Sequence, residues 1–120
     1  MTDVEVFRCQ DRWGRDIILI DERWYGKIRN LHSEITEQAI LLTLTDPDLV
    51  NWDKALDGVE VFYRDVLLPA PDGVSLVKVC VHFQVDVYET VEVGLVTTAY
   101  TVFNVNPEER RKWNRDESSP

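Results

Sequence analysis

Apolar positions along the chain change their period, and each change marks an expected element. Near the start, VEVFRC and DIILI flank DRWGRD, whose Gly14 and polar neighbours carry turn chemistry, predicting a β-hairpin over about residues 4 to 20. Asp21 follows in the position of a helix cap. Trp24, Ile28 and Leu31 then recur at i, i+4 and i+7, one face of a helix, while Arg23, Lys27, Arg29 and Asn30 face away. Ser33 is placed to cap a second helix running to about Thr45, with Ile35, Ala39 and Leu42 on its apolar face. Asp46-Pro47 stops it, because the residue before a proline is pushed out of the α region.

After a loop holding Trp52 and Gly58, the period becomes two. VEVFYRDVLL, SLVKVCVHFQVDVY and VEVGLVTTAYTVF read as strands separated by PAPDG and by Glu89-Thr90, and an antiparallel meander is their simplest assembly. In the middle run Val77, Val79, Val81, Phe83, Val85 and Val87 point one way, onto the helices. Lys78, Cys80, His82, Gln84 and Asp86 point the other way, onto a polar, uncovered face. The expected fold is α+β: an N-terminal β-hairpin, then two helices packed on one face of a three- to four-stranded antiparallel sheet.

A chain of 120 residues is about one domain; residues 1–113 are expected to form it, with 114–120 as a frayed, charged and polar tail. Hydrophobic residues make up 44%, with four each of Trp, Tyr and Phe, which is enough for one core without a disulfide or a metal. No run approaches a membrane span and the N-terminus lacks a signal peptide's basic-then-apolar order, so the expected setting is cytoplasmic and free of membrane. Cys9 and Cys80, far apart and without zinc-ligand spacing, read as small buried residues in a reducing compartment. The formal charge of −9 argues against tight non-specific nucleic-acid binding; a local basic patch, or a basic partner, remains compatible with it.

Several phrases, taken in order, resemble the phage-associated members of the Barnase, EndoU, colicin and RelE-like (BECR-fold) nuclease superfamily. They are DRWGRDIILIDERW, the helical stretch through His32-Ser33-Glu34, then TLTDPDLV, VEVFYRD, VSLVKVCV and LVTTAY, spanning about residues 11 to 101. The resemblance implies helices followed by a twisted antiparallel sheet, and metal-independent RNA cleavage by a toxin or effector. Matched position by position, it implies His32 as the second helix histidine and Glu34 as the glutamate after it. It likewise implies Tyr63 and Arg64 as a Tyr-Arg pair, Lys78 as the strand lysine, and Thr98 and Tyr100 as the Thr-Ala-Tyr pair. The chain departs from the family where Gly26 and Lys27 stand near an expected first histidine and Ser33 replaces a proline.

Metal-free RNA cleavage needs a base for the 2′-hydroxyl proton, an acid for the leaving oxygen, and fixed donors at the phosphate. The implied set supplies His32 for proton transfer, Lys78 and Arg64 for phosphate, and Thr98 and Tyr100 as hydroxyl donors, with Tyr63, Lys27 and Arg29 as further substrate-binding candidates. His82 shares a strand face with Lys78 and is a candidate replacement for the missing histidine. Each has an ordinary alternative: a histidine that favours a helix C-terminus, a solvated strand lysine, strand-forming Thr and Tyr. The acidic residues and histidines recur in no ligand pattern, so no metal or other cofactor is expected. Two outcomes stay open: a ribonuclease acting on RNA through a local basic patch, with an antitoxin or immunity protein as partner, or a catalytically inactive member serving as an acidic protein-binding module.

Overall fold

The computed structural model describes residues 4–85, 88 and 91–118. Its strands are β1 (Glu5–Gln10), β2 (Asp16–Ile20), β3 (Leu49–Trp52), β4 (Val59–Leu68), β5 (Gly73–Val85), β6 (Glu92–Val102) and β7 (Arg110–Asn114). They form one sheet in the order β1-β2-β6-β5-β4-β3-β7. Every pairing is antiparallel except β2 with β6, which run parallel across Asp16–Ile18 and Val93–Leu95. The expected three- to four-stranded antiparallel sheet under two helices is therefore corrected to a seven-stranded mixed sheet that dominates the molecule, with only short helical pieces. The miss has two sources. LVNW, expected within a loop, is strand β3, paired on one side with β4 and on the other with β7; RRKWN, expected inside the domain but without an element of its own, is the edge strand β7, where charged residues are tolerated because one side meets water. The hairpin was treated as separate, yet β2 continues the sheet.

The helical stretch after β2 consists of α1 (Asp21–Arg23), a π turn (Trp24–Ile28) and α2 (Arg29–Leu31). The Arg29 N–H donates to the Trp24 carbonyl five residues back, so one extra residue is wound into this turn. That slip rotates whatever follows. Trp24 and Ile28 reach the core, but Leu31, expected on the same stripe, is 68% exposed. The second helix, α3 (Glu37–Thr45), begins later than expected: Thr36, not Ser33, caps it, its Oγ1 accepting from the Ala39 N–H at 3.0 Å. The shifted start buries Ala39, Ile40, Thr43 and Leu44 and leaves Leu42 partly exposed. The helix ends at Asp46, before Pro47.

Helix α3 packs on β4, β5 and β1, and the core gathers Ile40 and Leu44 with Phe62, Val77, Val79, Val81 and Phe83. The alternation read in β5 holds from Val77 to Phe83; Val85 is exposed, and Asp86, Val87 and the Glu89-Thr90 turn lie outside the described residues. The segment expected as a frayed tail begins with the last residue of β7 and the turn α4 (Arg115–Ser118), where Arg115 pairs with Asp46 and Asp48; residues 119–120 are outside the described set. Among the described residues no helix is long and apolar enough to cross a membrane.

One ionic cluster holds the sheet's two sides together. In the β1–β2 turn, Asp11 accepts from the Trp13 and Arg15 N–H groups at 3.0 and 2.9 Å, and Gly14 supplies the positive φ of 76° that closes the turn. This presents Arg15, which donates to both oxygens of Glu60 on β4 at 2.7 and 2.8 Å. Lys112 of β7 donates to the same carboxylate at 2.8 Å while lying 4.6 and 4.4 Å from the Trp13 and Trp52 ring centroids. Arg12 stacks on Trp113 at 3.9 Å. Strands β2 and β7 are five places apart, about 24 Å if the sheet were flat. These contacts require it to curl around the core.

Two stability outcomes follow. Ile28→Ala is expected to cost about 2–5 kcal/mol, while Leu31→Ala, on the same nominal stripe, stays within about 0.5 kcal/mol; urea denaturation of both checks the π-turn slip. Burial by itself would raise the Glu60 carboxyl, but hydrogen bonds from Arg15 and Lys112 outweigh it and hold it below its ordinary value. A depressed folded pKa stabilises fully above the unfolded value of about 4.3 and is lost as pH falls through the folded one. Glu60→Ala is therefore expected to lose about 3–5 kcal/mol at pH 7, and the gap between its urea midpoint and that of the native chain should close on acidification. A gap that widened toward acid would contradict the assignment.

Candidate functional site

The face of β4, β5 and β6 away from α3 carries its side chains in rows fixed by strand register. Tyr63, Lys78 and Tyr100 lie opposite one another in one row, Val61, Cys80 and Thr98 in the next, and Val59, His82 and Leu95 in a third. A register shift on β6 inserts Thr97 between the last two rows, and its hydroxyl donates to the Cys80 carbonyl at 3.2 Å. The helical stretch ends beside the first row. There the His32 ring stacks on Tyr100 with centroids 5.2 Å apart.

Over the second and third rows lies a cleft of about 450 Å³. Cys80, His82 and Thr98 form its floor, Lys27 contributes from the π turn, and Asp53, Leu56 and Asp57 come from the loop between β3 and β4. That loop is stiffened by Asp53, whose Oδ2 accepts from the Ala55 and Leu56 N–H groups at 3.0 and 2.9 Å. One lysine faces two carboxylates, so the cleft is not the basic patch expected of an RNA groove.

The first row is ionically closed. Lys78 is 8% exposed and its Nζ donates to Glu109 Oε2 at 3.1 Å. Glu109 Oε1 accepts from the Tyr63 hydroxyl at 2.6 Å and from Asn51 Nδ2 at 3.2 Å. Burial disfavours the charged lysine, but the Glu109 hydrogen bond and the surrounding charges more than offset it and raise its pKa, so it stays an ammonium. Burial, then the bond to Glu109, raise the Tyr63 phenol, which stays a proton donor. Lys78 is therefore not the solvated strand lysine of the sequence reading.

Of the expected site residues, the fold brings His32, Tyr100, Lys78 and Tyr63 into one row, and Thr98, His82 and Lys27 into the neighbouring cleft. Arg64 and Arg29 are not among them. Arg64 follows Tyr63 on β4 and so faces the other way, donating to the Asp46 carbonyl at 3.0 Å. Arg29 lies 5.7 Å from the Tyr25 ring, away from the cleft lining. His82 stands four residues from Lys78, about 13 Å of extended strand, and lines the same cleft as Lys27, which stands near the expected first histidine. Glu34 turns to Thr101, whose hydroxyl donates to it at 3.2 Å. Asn51, Asp53, Asp57 and Glu109 are the additions. Nothing in NPEER signalled Glu109, because its partners lie 31 to 58 residues away and only the pairing of β7 with β3 delivers it.

Comparison with protein-family models, curated proteins and solved structures finds no match to this chain. Its chemistry rests on the geometry above. Among the described residues no group of three or more His, Cys, Asp or Glu is placed to hold a metal ion.

Cys80 gives the cleft a reporter. Burial pushes its thiol up to about 11, and both cysteines are free. Its thiolate is scarce at neutral pH, so alkylation by iodoacetamide at pH 7.5 should run roughly 100-fold slower than for a small free thiol. Peptide mapping after timed alkylation measures it; labelling at the free-thiol rate would mean the floor of the cleft is open.

Proposed function

We propose that this chain is a metal-independent ribonuclease with its site on the open sheet face, in line with its resemblance to the BECR-fold nucleases. One observation carries the reading: His32, from the end of a helix, stacks on Tyr100, in the same row as Lys78 and Tyr63. In that arrangement His32 takes the 2′-hydroxyl proton, and the freed oxygen attacks phosphorus. Lys78 and the Tyr63 hydroxyl hold the phosphate oxygens as charge grows on them, and the Tyr100 hydroxyl protonates the departing 5′-oxygen. The products are a 2′,3′-cyclic phosphate and a 5′-hydroxyl. The cleft floored by Thr98 and His82, which is not a basic groove, takes the adjoining base rather than its phosphate. A toxin-like activity of this kind would call for a neutralising antitoxin or immunity partner.

A second reading, an acidic protein-binding module without cleavage, is favoured by the Lys78–Glu109 pair and by Asp53 and Asp57 in the cleft. End-labelled RNA incubated with the protein in chelator separates the two. The ribonuclease reading expects cyclic-phosphate ends and a loss of about 10²- to 10⁴-fold in His32→Ala, with His82→Ala altering substrate affinity more than turnover. Absence of cyclic-phosphate products over a range of single-stranded and structured RNAs would leave the binding-module reading standing.

A further inference from the structure

Asn51, Tyr63 and Lys78 come from three adjacent strands and present an amide N–H, a hydroxyl and an ammonium to one point. All three act there as donors, the chemistry of a site for an oxyanion. The group that fills it is the chain's own Glu109, whose side chain is 1% exposed. The fit is uneven: among the described residues Oε1 serves both Tyr63 and Asn51, while Oε2 serves Lys78. Inorganic phosphate or a phosphate monoester has a terminal oxygen for each donor, whereas a carboxylate has two for three and a phosphodiester adds only its ester oxygens to two.

The segment that delivers Glu109, residues 103–109 between β6 and β7, is held down largely through polar contacts. The Asn106 N–H donates to the Tyr63 hydroxyl at 3.4 Å, and Glu108 pairs with Lys54 at 3.1 Å on the surface. Its one aromatic residue, Phe103, is 100% exposed and anchors nothing. Exposed ion pairs of this kind contribute little. The buried carboxylate is thus one of the segment's ties to the open face, beside the half-buried Val105 and Asn106, and it lies where the His32–Tyr100 pair adjoins Lys78, whose Nζ is 5.7 Å from the Tyr100 ring centroid.

We propose that Asn51, Tyr63 and Lys78 form a phosphoryl-oxyanion site and that Glu109 occupies it as an internal competitor, displaced when a phosphate group enters. The choice of an RNA phosphodiester as the natural ligand rests on the ribonuclease reading; the oxyanion site does not.

The test uses the full chain and two probes. Inorganic phosphate is titrated by calorimetry into the native protein, Glu109→Gln, and Glu109→Asp, which keeps the charge but draws it back from Lys78; circular dichroism verifies each fold. Phosphate should bind Glu109→Gln about tenfold or more tighter than the native chain, with Glu109→Asp between them. Adding Lys78→Met to Glu109→Gln should abolish the gain. Cleavage of end-labelled RNA, the second probe, should rise in Glu109→Gln. Phosphate binding with no cleavage by any variant would keep the oxyanion site and remove the ribonuclease reading. Phosphate affinity unchanged in both folded Glu109 variants, or a gain that survives Lys78→Met, would overturn the site itself.

Discussion

Glu60 is the constraint on which the rest of the structure turns. A carboxylate 2% exposed on the core side of a central strand must be paired, because an unpaired charge at that depth is far too costly to keep. Its partners come from opposite ends of the sheet order: Arg15 from the β1–β2 turn and Lys112 from β7. Meeting both bends the sheet toward its core side and draws the β1–β2 turn against β7. The opposite face then curves outward. The cleft beside the first row lies where Lys27 of the π turn and the 53–58 loop rise next to Cys80 and His82.

Periodicity predicted what depends on one strand's own two sides. The alternation from Val77 to Phe83 was readable because one side is dry, and the hairpin around DRWGRD because its turn residues act locally. The helix stop at Asp46-Pro47 was local too. What failed to show depends on distant partners or on small slips in phase. A single extra residue in the π turn moves Leu31 off the stripe, and a cap at Thr36 rather than Ser33 exchanges Leu42 for Ile40. Neither leaves a mark in a pattern of apolar positions. RRKWN shows no strand alternation because its charges are spent on Glu60 and on the edge, not on water alone.

For the site, strand parity was a stronger guide than motif order. Adjacent residues on a strand face opposite ways, so Tyr63 and Arg64 could never serve one face together, and only Tyr63 does. His82 is four positions on from Lys78, which leaves the Cys80 row between them and puts His82 in the cleft rather than in the row of Tyr63, Lys78 and Tyr100. Which residues of β4 and β6 stand opposite Lys78 is a matter of register, set by the turns and the core, and one β-bulge at Thr97 is enough to alter it beyond Cys80.

Lys78 shows how stability and function compete at one position. The alternation that places it between Tyr63 and Tyr100 also sinks it below the surface, where an ammonium persists only beside a negative charge. In a chain of net charge −9 that charge is supplied internally, by Glu109. The pair keeps Lys78 protonated, which a phosphate ligand requires, and at the same time fills the position that ligand would take. Any activity at this row therefore depends on the difference between two anions for the same three donors, and a polymer of phosphates has the advantage of number over a single tethered carboxylate. The carboxylate's advantage is proximity, which is as strong as the short segment 103–109 is well anchored, and Phe103 anchors none of it.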